Sequence, residues 1–211
     1  MGRPEVVVVI PTVQGREDHL DRCMAAYMRT LAGVQWEAVV EHNRATCGEA
    51  WNLGAAVARA AGATWLHMTA DDLEPLDGWF EAAVQCVRDF GASPSALIWT
   101  AREGEPDTVE SHGDWAARYQ VPNAVSMSRI PFCRTELWID IPPIHYYSDN
   151  AFSSAMQAQG IPLVAVPGYA FRHHWAQAGR HPMNDEQWFR EQTMWQQWAA
   201  GELLQRAPRW S

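Results

Sequence analysis

The sequence is short of the features that would take it into a membrane, a disulfide scaffold or a nucleic-acid groove. Its opening apolar run, "VVVVI" at 6–10, ends after five residues at Pro11, a strand's length rather than that of a leader or a span. No other stretch approaches membrane-spanning length. The four cysteines, Cys23, Cys47, Cys86 and Cys133, are scattered with no C-x-x-C pair, which signals neither a zinc site nor a disulfide framework. Free thiols in a reducing cytoplasm are expected. Lys and Arg number 16 against 25 Asp and Glu, a formal charge of -9, and the basic residues form no stripe. A surface of that sign repels phosphate backbones, so stable nonspecific nucleic-acid binding is not expected, although a local groove for a nucleic-acid acceptor is compatible with it. The turn after the first apolar run, "PTVQGRED", holds one glycine. A dinucleotide fingerprint of the Rossmann kind needs several there. Internal repeats and low-complexity linkers are also missing.

What is present suits a compact α/β domain: 211 residues, 47% apolar and 19% charged. "VVVVIPT" at 6–12 has the continuous β-branched character of a strand buried on both faces of a parallel sheet. Residues 17–32 carry Leu20, Cys23, Met24, Tyr27, Met28 and Leu31 at helical spacing. The unit repeats as a strand at 36–42 and an alanine-rich helix at 48–63, and a third strand is predicted at 64–68. Strand-first units imply right-handed crossovers and a parallel sheet whose carboxyl-end loops face one crevice.

Further on, a helix is predicted at about 76–90 and a strand at 96–100; residues 101–123 are polar and turn-rich, and a strand in a mixed or antiparallel setting is predicted at 124–129. A helix at 148–160 would carry Ser148 or Asp149 at its cap and end at Gly160. One or two late strands finish at His173 and His174, and a last helix at 184–205 sets Trp188, Trp195, Trp198 and Leu203 near one face. Twelve tryptophans is an unusual number. Core packing is the reading for those of the last helix, and Trp79 is expected to pack the third helix on the sheet.

The chemistry-bearing residues gather at strand ends. Asp71 and Asp72, after the third strand in "TWLHMTADDLEP", repel each other unless a cation sits between them. A divalent ion such as Mn²⁺ or Mg²⁺ prefers such oxygen ligands. An acidic turn or helix cap is the alternative. Asp149 stands where a carboxylate could take a proton from a hydroxyl, and His173 and His174, being consecutive on a strand, point to opposite faces, so only one can reach the crevice.

Residues 6–80 resemble the family 2 glycosyltransferases with the GT-A fold, through "VVVVIPT", "VVEHN", "CGEAWNLGAAVARAAGATWLHMTADD" and "PLDGWF". The resemblance covers the remainder more loosely. It implies a GT-A-like nucleotide-binding sandwich, with a mostly parallel central sheet flanked by helices and an antiparallel or mixed second half. A single catalytic domain would span 1–183, its nucleotide-sugar half at 1–100 and acceptor half at 101–183, with a Trp-rich helical extension at 184–211. It further implies a nucleoside diphosphate sugar donor, a UDP-sugar first, and Mn²⁺ or Mg²⁺ between acidic motif and diphosphate. The acceptor, whether protein, glycan, small molecule or modified nucleic-acid base, is left open.

Residue by residue, Pro11, Thr12, Glu41, Asn43, Asn52 and Asp71 would contact the nucleotide-sugar. Asp72 or Asp71, by register, would hold the metal, with His173 or His174 completing its shell, and Asp149 would act as the general base of an inverting transfer. Thr69 or Ala70 stands in place of the family's first aspartate, and Glu41 in place of an aspartate often seen there. Two other classes remain: a nucleotidyltransferase, whose triphosphate loop would want more glycine and basic residues than "TVQGRED" offers, and a sugar-nucleotide-binding module that has lost catalysis.

Overall fold

The computed structural model describes residues 2–42, 44, 46–90, 94–101, 129–174 and 185–201. The β-branched opening run forms β1 (Val6–Thr12), and its residues 6–10 are completely buried, as a strand covered on both faces requires. Helix α1 (Glu17–Thr30) leads to β2 (Trp36–His42), α2 (Cys47–Ala61) and β3 (Trp65–Met68). Thr46 caps α2: its hydroxyl accepts the Glu49 N–H at 3.2 Å and lies 3.0 Å from the Glu49 carboxylate. Gly62, with φ 69°, ends the helix in the left-handed conformation.

The second half differs from the sequence expectation in detail. A three-residue strand, β4 (Leu73–Pro75), precedes α3 (Trp79–Asp89), so the helix starts later than 76. So short an edge strand leaves no periodic pattern to read. Then follow β5 (Ser95–Ala101), β6 (Arg129–Arg134), a 3₁₀ turn at Thr135–Leu137, α4 (Ser148–Ala158), a single long β7 (Leu163–His173) and α5 (Asp185–Gly201). Of the strand expected at 124–129, residues 124–128 lie outside the described residues; the observed strand begins at Arg129. The cap of α4 is also corrected. Tyr147 occupies it, Ser148 lies inside the helix, and the Ser148 hydroxyl donates back to the carbonyls of Ile144 and His145.

Among the described residues, seven strands form one sheet in the order β2-β1-β3-β6-β5-β7-β4. β1 pairs parallel with β2 and β3, β6 is antiparallel to β3 and β5, and β5 pairs parallel with β7. β5 and β7 therefore run with β1, giving a mostly parallel sheet whose mixed half enters through β6. The chain moves from β1 to one side for β2 and to the other for β3. That reversal opens a crevice at the carboxyl ends of β1 and β3, where open α/β sheets take ligands.

One face of the sheet is covered by α1 and α3, with Tyr27, Trp79 and Phe171 in a ring cluster; the other by α2, α4 and α5, with Trp51, Trp138, Phe152 and Trp198. The Trp79 indole N–H donates to Thr30 Oγ1 at 3.1 Å, which ties α3 to α1. Gly54 is what lets α2 lie close to β1. A Cβ there would meet both Val9 γ-carbons inside van der Waals contact. No helix among the described residues is long and apolar enough to cross a membrane.

Candidate active site

The crevice between β1 and β3 gathers five polar side chains from four segments: Thr12, Arg16, Asp71, Asp72 and His173. Asp71, 5% exposed, is held on both oxygens. Thr12 donates its hydroxyl to Oδ2 at 2.7 Å, and Arg16 lies across the carboxylate with Nε 2.9 Å from Oδ2 and Nη2 2.7 Å from Oδ1. Only the Nε contact is an aligned hydrogen bond; Nη2 adds ion-pair attraction without one. The same Nη2 is 3.2 Å from Asp72 Oδ2, so one arginine spans both aspartates.

Asp72, 8% exposed, also has His173 Nε2 3.5 Å from its Oδ2. The antiparallel pairing of β4 with β7 sets Leu73 opposite His173 and brings that ring over the acidic turn. His174 goes elsewhere. Its backbone N–H donates to the Asp72 carbonyl at 3.1 Å, while its ring nitrogen lies 3.1 Å from Glu74 Oε2. Of the histidine pair, His173 is thus the one beside Asp72.

The two carboxyls titrate in opposite directions. Burial raises the Asp71 pKa above the usual carboxylate value, and Thr12 and Arg16 only partly offset it. For Asp72 burial also pushes upward, but His173 and Arg16 outweigh it and the net shift is downward. Asp72 is therefore the better anion of the two.

Behind the turn, His67 of β3 is fully buried among Tyr27, Trp79, Phe132 and Phe171. Burial lowers its pKa to about 3, so the ring is neutral. Its Nδ1–H donates to the Pro131 carbonyl at 3.3 Å and its Nε2 accepts the Tyr27 hydroxyl at 2.8 Å. Thr69, in the place of the expected first aspartate, is 1% exposed; its N–H donates to the Val9 carbonyl and its own carbonyl accepts the Trp51 indole N–H at 3.3 Å.

The other expected nucleotide contacts are spread more widely. Pro11 sits opposite Glu41 in the β1–β2 ladder, and the Glu41 carboxylate receives Arg44 Nε at 3.1 Å. Asn43 lies outside the described residues. Asn52 belongs to a different neighbourhood from the acidic pair. Its Nδ2 donates to the Ile141 carbonyl at 2.7 Å, and its Oδ1 accepts the Ile141 N–H at 3.0 Å and the Trp138 indole N–H at 3.3 Å. The amide is a clip between α2 and the segment following the 3₁₀ turn.

Asp149 lies in the first turn of α4, its Oδ1 accepting the Asn150 N–H at 2.9 Å. The Cys47 thiol at the start of α2, pushed up to about 12 mainly by burial, feels the charges of Asp149, Asp72 and Glu191. Glu191 of α5, 2% exposed, accepts the backbone N–H groups of His145 at 2.7 Å and Tyr146 at 2.8 Å. Trp195 of α5 stacks on Tyr147 with ring centroids 5.5 Å apart and donates its indole N–H to Ser154. The terminal helix thereby holds the segment that launches α4.

Arg16 and Glu191 are the two residues that sequence reasoning passed over. Arg16 was visible as the sole basic residue of the first turn; Glu191 has a local partner in Gln187, whose Nε2 donates to Oε1 at 2.8 Å, but the backbone groups its Oε2 accepts lie 45 and 46 residues away and left no local mark.

Among the described residues, no group of three or more His, Cys, Asp or Glu side chains is assembled as a metal cage. Asp71 is a poor fit for a metal because both of its oxygens are already engaged. Asp72 with His173 fits better: a carboxylate oxygen and an imidazole nitrogen stand side by side. Mg²⁺ and Mn²⁺ sites of this kind need only one or two protein ligands when substrate phosphates complete the shell.

Sheet order, switch-point crevice and acidic turn together define a GT-A-like fold. Solved structures of S. aureus TarS share it. TarS 1–349 matches 80% of this chain and 60% of its own at TM-score 0.55 and 11% identity. Its complex with UDP-GlcNAc matches 80% and 58%, and its complex with UDP 96% and 71%, both again at 0.55 and 11%. The chain therefore spans about 60% of TarS 1–349 in the first of these matches. At this identity the likeness is one of fold. No protein-family model matches the sequence, and no curated protein does either.

Proposed function

We propose that the protein is a glycosyltransferase that moves a sugar from a nucleoside diphosphate sugar, a UDP-sugar first, to an acceptor hydroxyl with inversion. The observation that carries this reading is the convergence of Thr12, Arg16, Asp71, Asp72 and His173 on the switch-point crevice of a GT-A-like sheet. The solved neighbours that share the fold were crystallised with UDP-GlcNAc and with UDP.

In this reading the nucleotide lies over the ends of β1 and β2, near Thr12, Pro11 and Glu41, and the diphosphate reaches toward Asp72. Asp149 accepts the proton of the acceptor hydroxyl as its oxygen bonds to the anomeric carbon. The bond from that carbon to the phosphate oxygen breaks at the same time, and the diphosphate leaves with the electron pair. A divalent cation held by Asp72 and His173 would supply positive charge to the leaving diphosphate. Asp71, locked by Thr12 and Arg16, fixes the shape of the turn that presents Asp72.

The test is turnover of UDP-sugars, read as released UDP, by wild type and Asp72→Ala with Mn²⁺ present. Asp72→Ala is expected to abolish turnover while retaining the helical circular-dichroism signal. Unchanged donor hydrolysis in the folded variant would sink the assignment.

A further inference from the structure

Arg16 occupies the position over the acidic pair that a cation would otherwise take. Its backbone is the cap residue of α1, yet its side chain makes no capping hydrogen bond. It instead reaches 55 residues along the sequence, where Nε donates to Asp71 and Nη2 stands within ion-pair distance of both Asp71 and Asp72. Two carboxylates this close and this buried need a counter-charge. One fixed guanidinium supplies half of it, and being a part of the chain it is always there. A divalent ion arriving alone at Asp72 would meet a carboxylate already paired and a positive guanidinium beside it. An ion arriving with a diphosphate brings its own negative charge and is not repelled.

Resting on the glycosyltransferase reading for the identity of its ligand, we propose that Arg16 is the resident counter-cation of the acidic pair. It keeps the free protein's affinity for a divalent cation low, so that the cation enters at Asp72 together with a nucleoside diphosphate.

The experiment is equilibrium binding of Mn²⁺, followed by the electron paramagnetic resonance of the free ion, with and without UDP and with no sugar donor or acceptor. Wild type is expected to bind Mn²⁺ at least tenfold more tightly with UDP than without. Arg16→Gln is expected to bind Mn²⁺ alone at least tenfold more tightly than wild type, and the double variant Arg16→Gln/Asp72→Asn to lose that gain. Arg16→Lys, which keeps the charge, should stay within about threefold of wild type. Equal Mn²⁺ affinity of wild type with and without UDP overturns the proposal, and this needs no variant to fold. Equal strengthening in Arg16→Lys and Arg16→Gln also overturns it, because the charge would then be irrelevant. Turnover of a UDP-sugar alongside a negative Mn²⁺ result would retire the role of Arg16 and leave the transferase reading standing; the expected Mn²⁺ pattern without turnover would do the reverse.

Discussion

Replacing Asn52 separates a ligand contact from a structural clip. The family resemblance puts Asn52 against the nucleotide, but its amide is engaged by Ile141 and Trp138 in three hydrogen bonds of 2.7, 3.0 and 3.3 Å. Asn52→Ala removes all three and leaves the Ile141 N–H and carbonyl and the Trp138 indole N–H without that partner. At roughly 1 kcal/mol for each bond in a half-buried setting, the loss is about 2–4 kcal/mol, a large part of a typical domain's 5–15 kcal/mol. Asn52→Asp should be worse than Ala. It turns the donor facing the Ile141 carbonyl into a charged acceptor, which repels that oxygen and is itself costly to bury. Urea unfolding followed by tryptophan fluorescence reads this directly, since Trp51 and Trp138 lie edge to face beside the clip. The midpoint should fall with little change in slope. UDP affinity, measured under conditions where the variant is folded, should stay within about threefold of wild type. An unchanged midpoint with lost UDP affinity would refute the reasoning and return Asn52 to the nucleotide.

Other expectations follow from the packing and the titrations. In Gly54→Ala, helix propensity gains up to about 1 kcal/mol, but the new Cβ falls on the buried Val9 side chain at a cost of about 1–3 kcal/mol. Net destabilisation is expected, relieved in Val9→Ala/Gly54→Ala, and a raised melting temperature for the single variant would contradict it. His67 is neutral in the fold, with its pKa lowered by burial from 6.5 to about 3. Its contribution is intact above the unfolded value and is lost as pH falls toward 3, because the unfolded chain then binds the extra proton. The slope approaches 1.4 kcal/mol per pH unit below the unfolded value, or about 2 kcal/mol in all between pH 6.5 and 4.5. Denaturation at stepped pH should show a flatter acid limb for His67→Phe than for wild type; parallel limbs would count against a buried neutral ring. Asp149→Asn can still accept the Asn150 N–H, so the fold should hold while kcat for transfer drops by about 10²–10⁴ with donor KM little changed. An unaltered kcat would remove Asp149 from the chemistry.

The elements legible in the sequence are those whose cause is local. The β-branched run of β1, the alanine-rich stretch of α2, and the apolar β3 running into Asp71 and Asp72 are each written within a few turns or one strand. β4 escaped because three residues carry no period, and its pairing with β7 joins positions about 100 residues apart. The cap of α4 was misplaced since Ser148 and Asp149 both have capping chemistry, and only the path of the backbone through Ile144 and Tyr147 decides which residue begins the helix.

The sequence by itself determined that this is a strand-first α/β chain with an acidic turn after its third strand, because side-chain period and turn chemistry act over a few residues. Only the tertiary structure decided which groups meet there. Sheet order places Thr12 and Arg16 beside Asp71, a two-strand edge delivers His173 to Asp72 and His174 to Glu74, and Asn52 turns toward Ile141. Each of those contacts joins residues dozens of positions apart. Partnership at that range is fixed by the order in which strands lie side by side, and no local pattern records it.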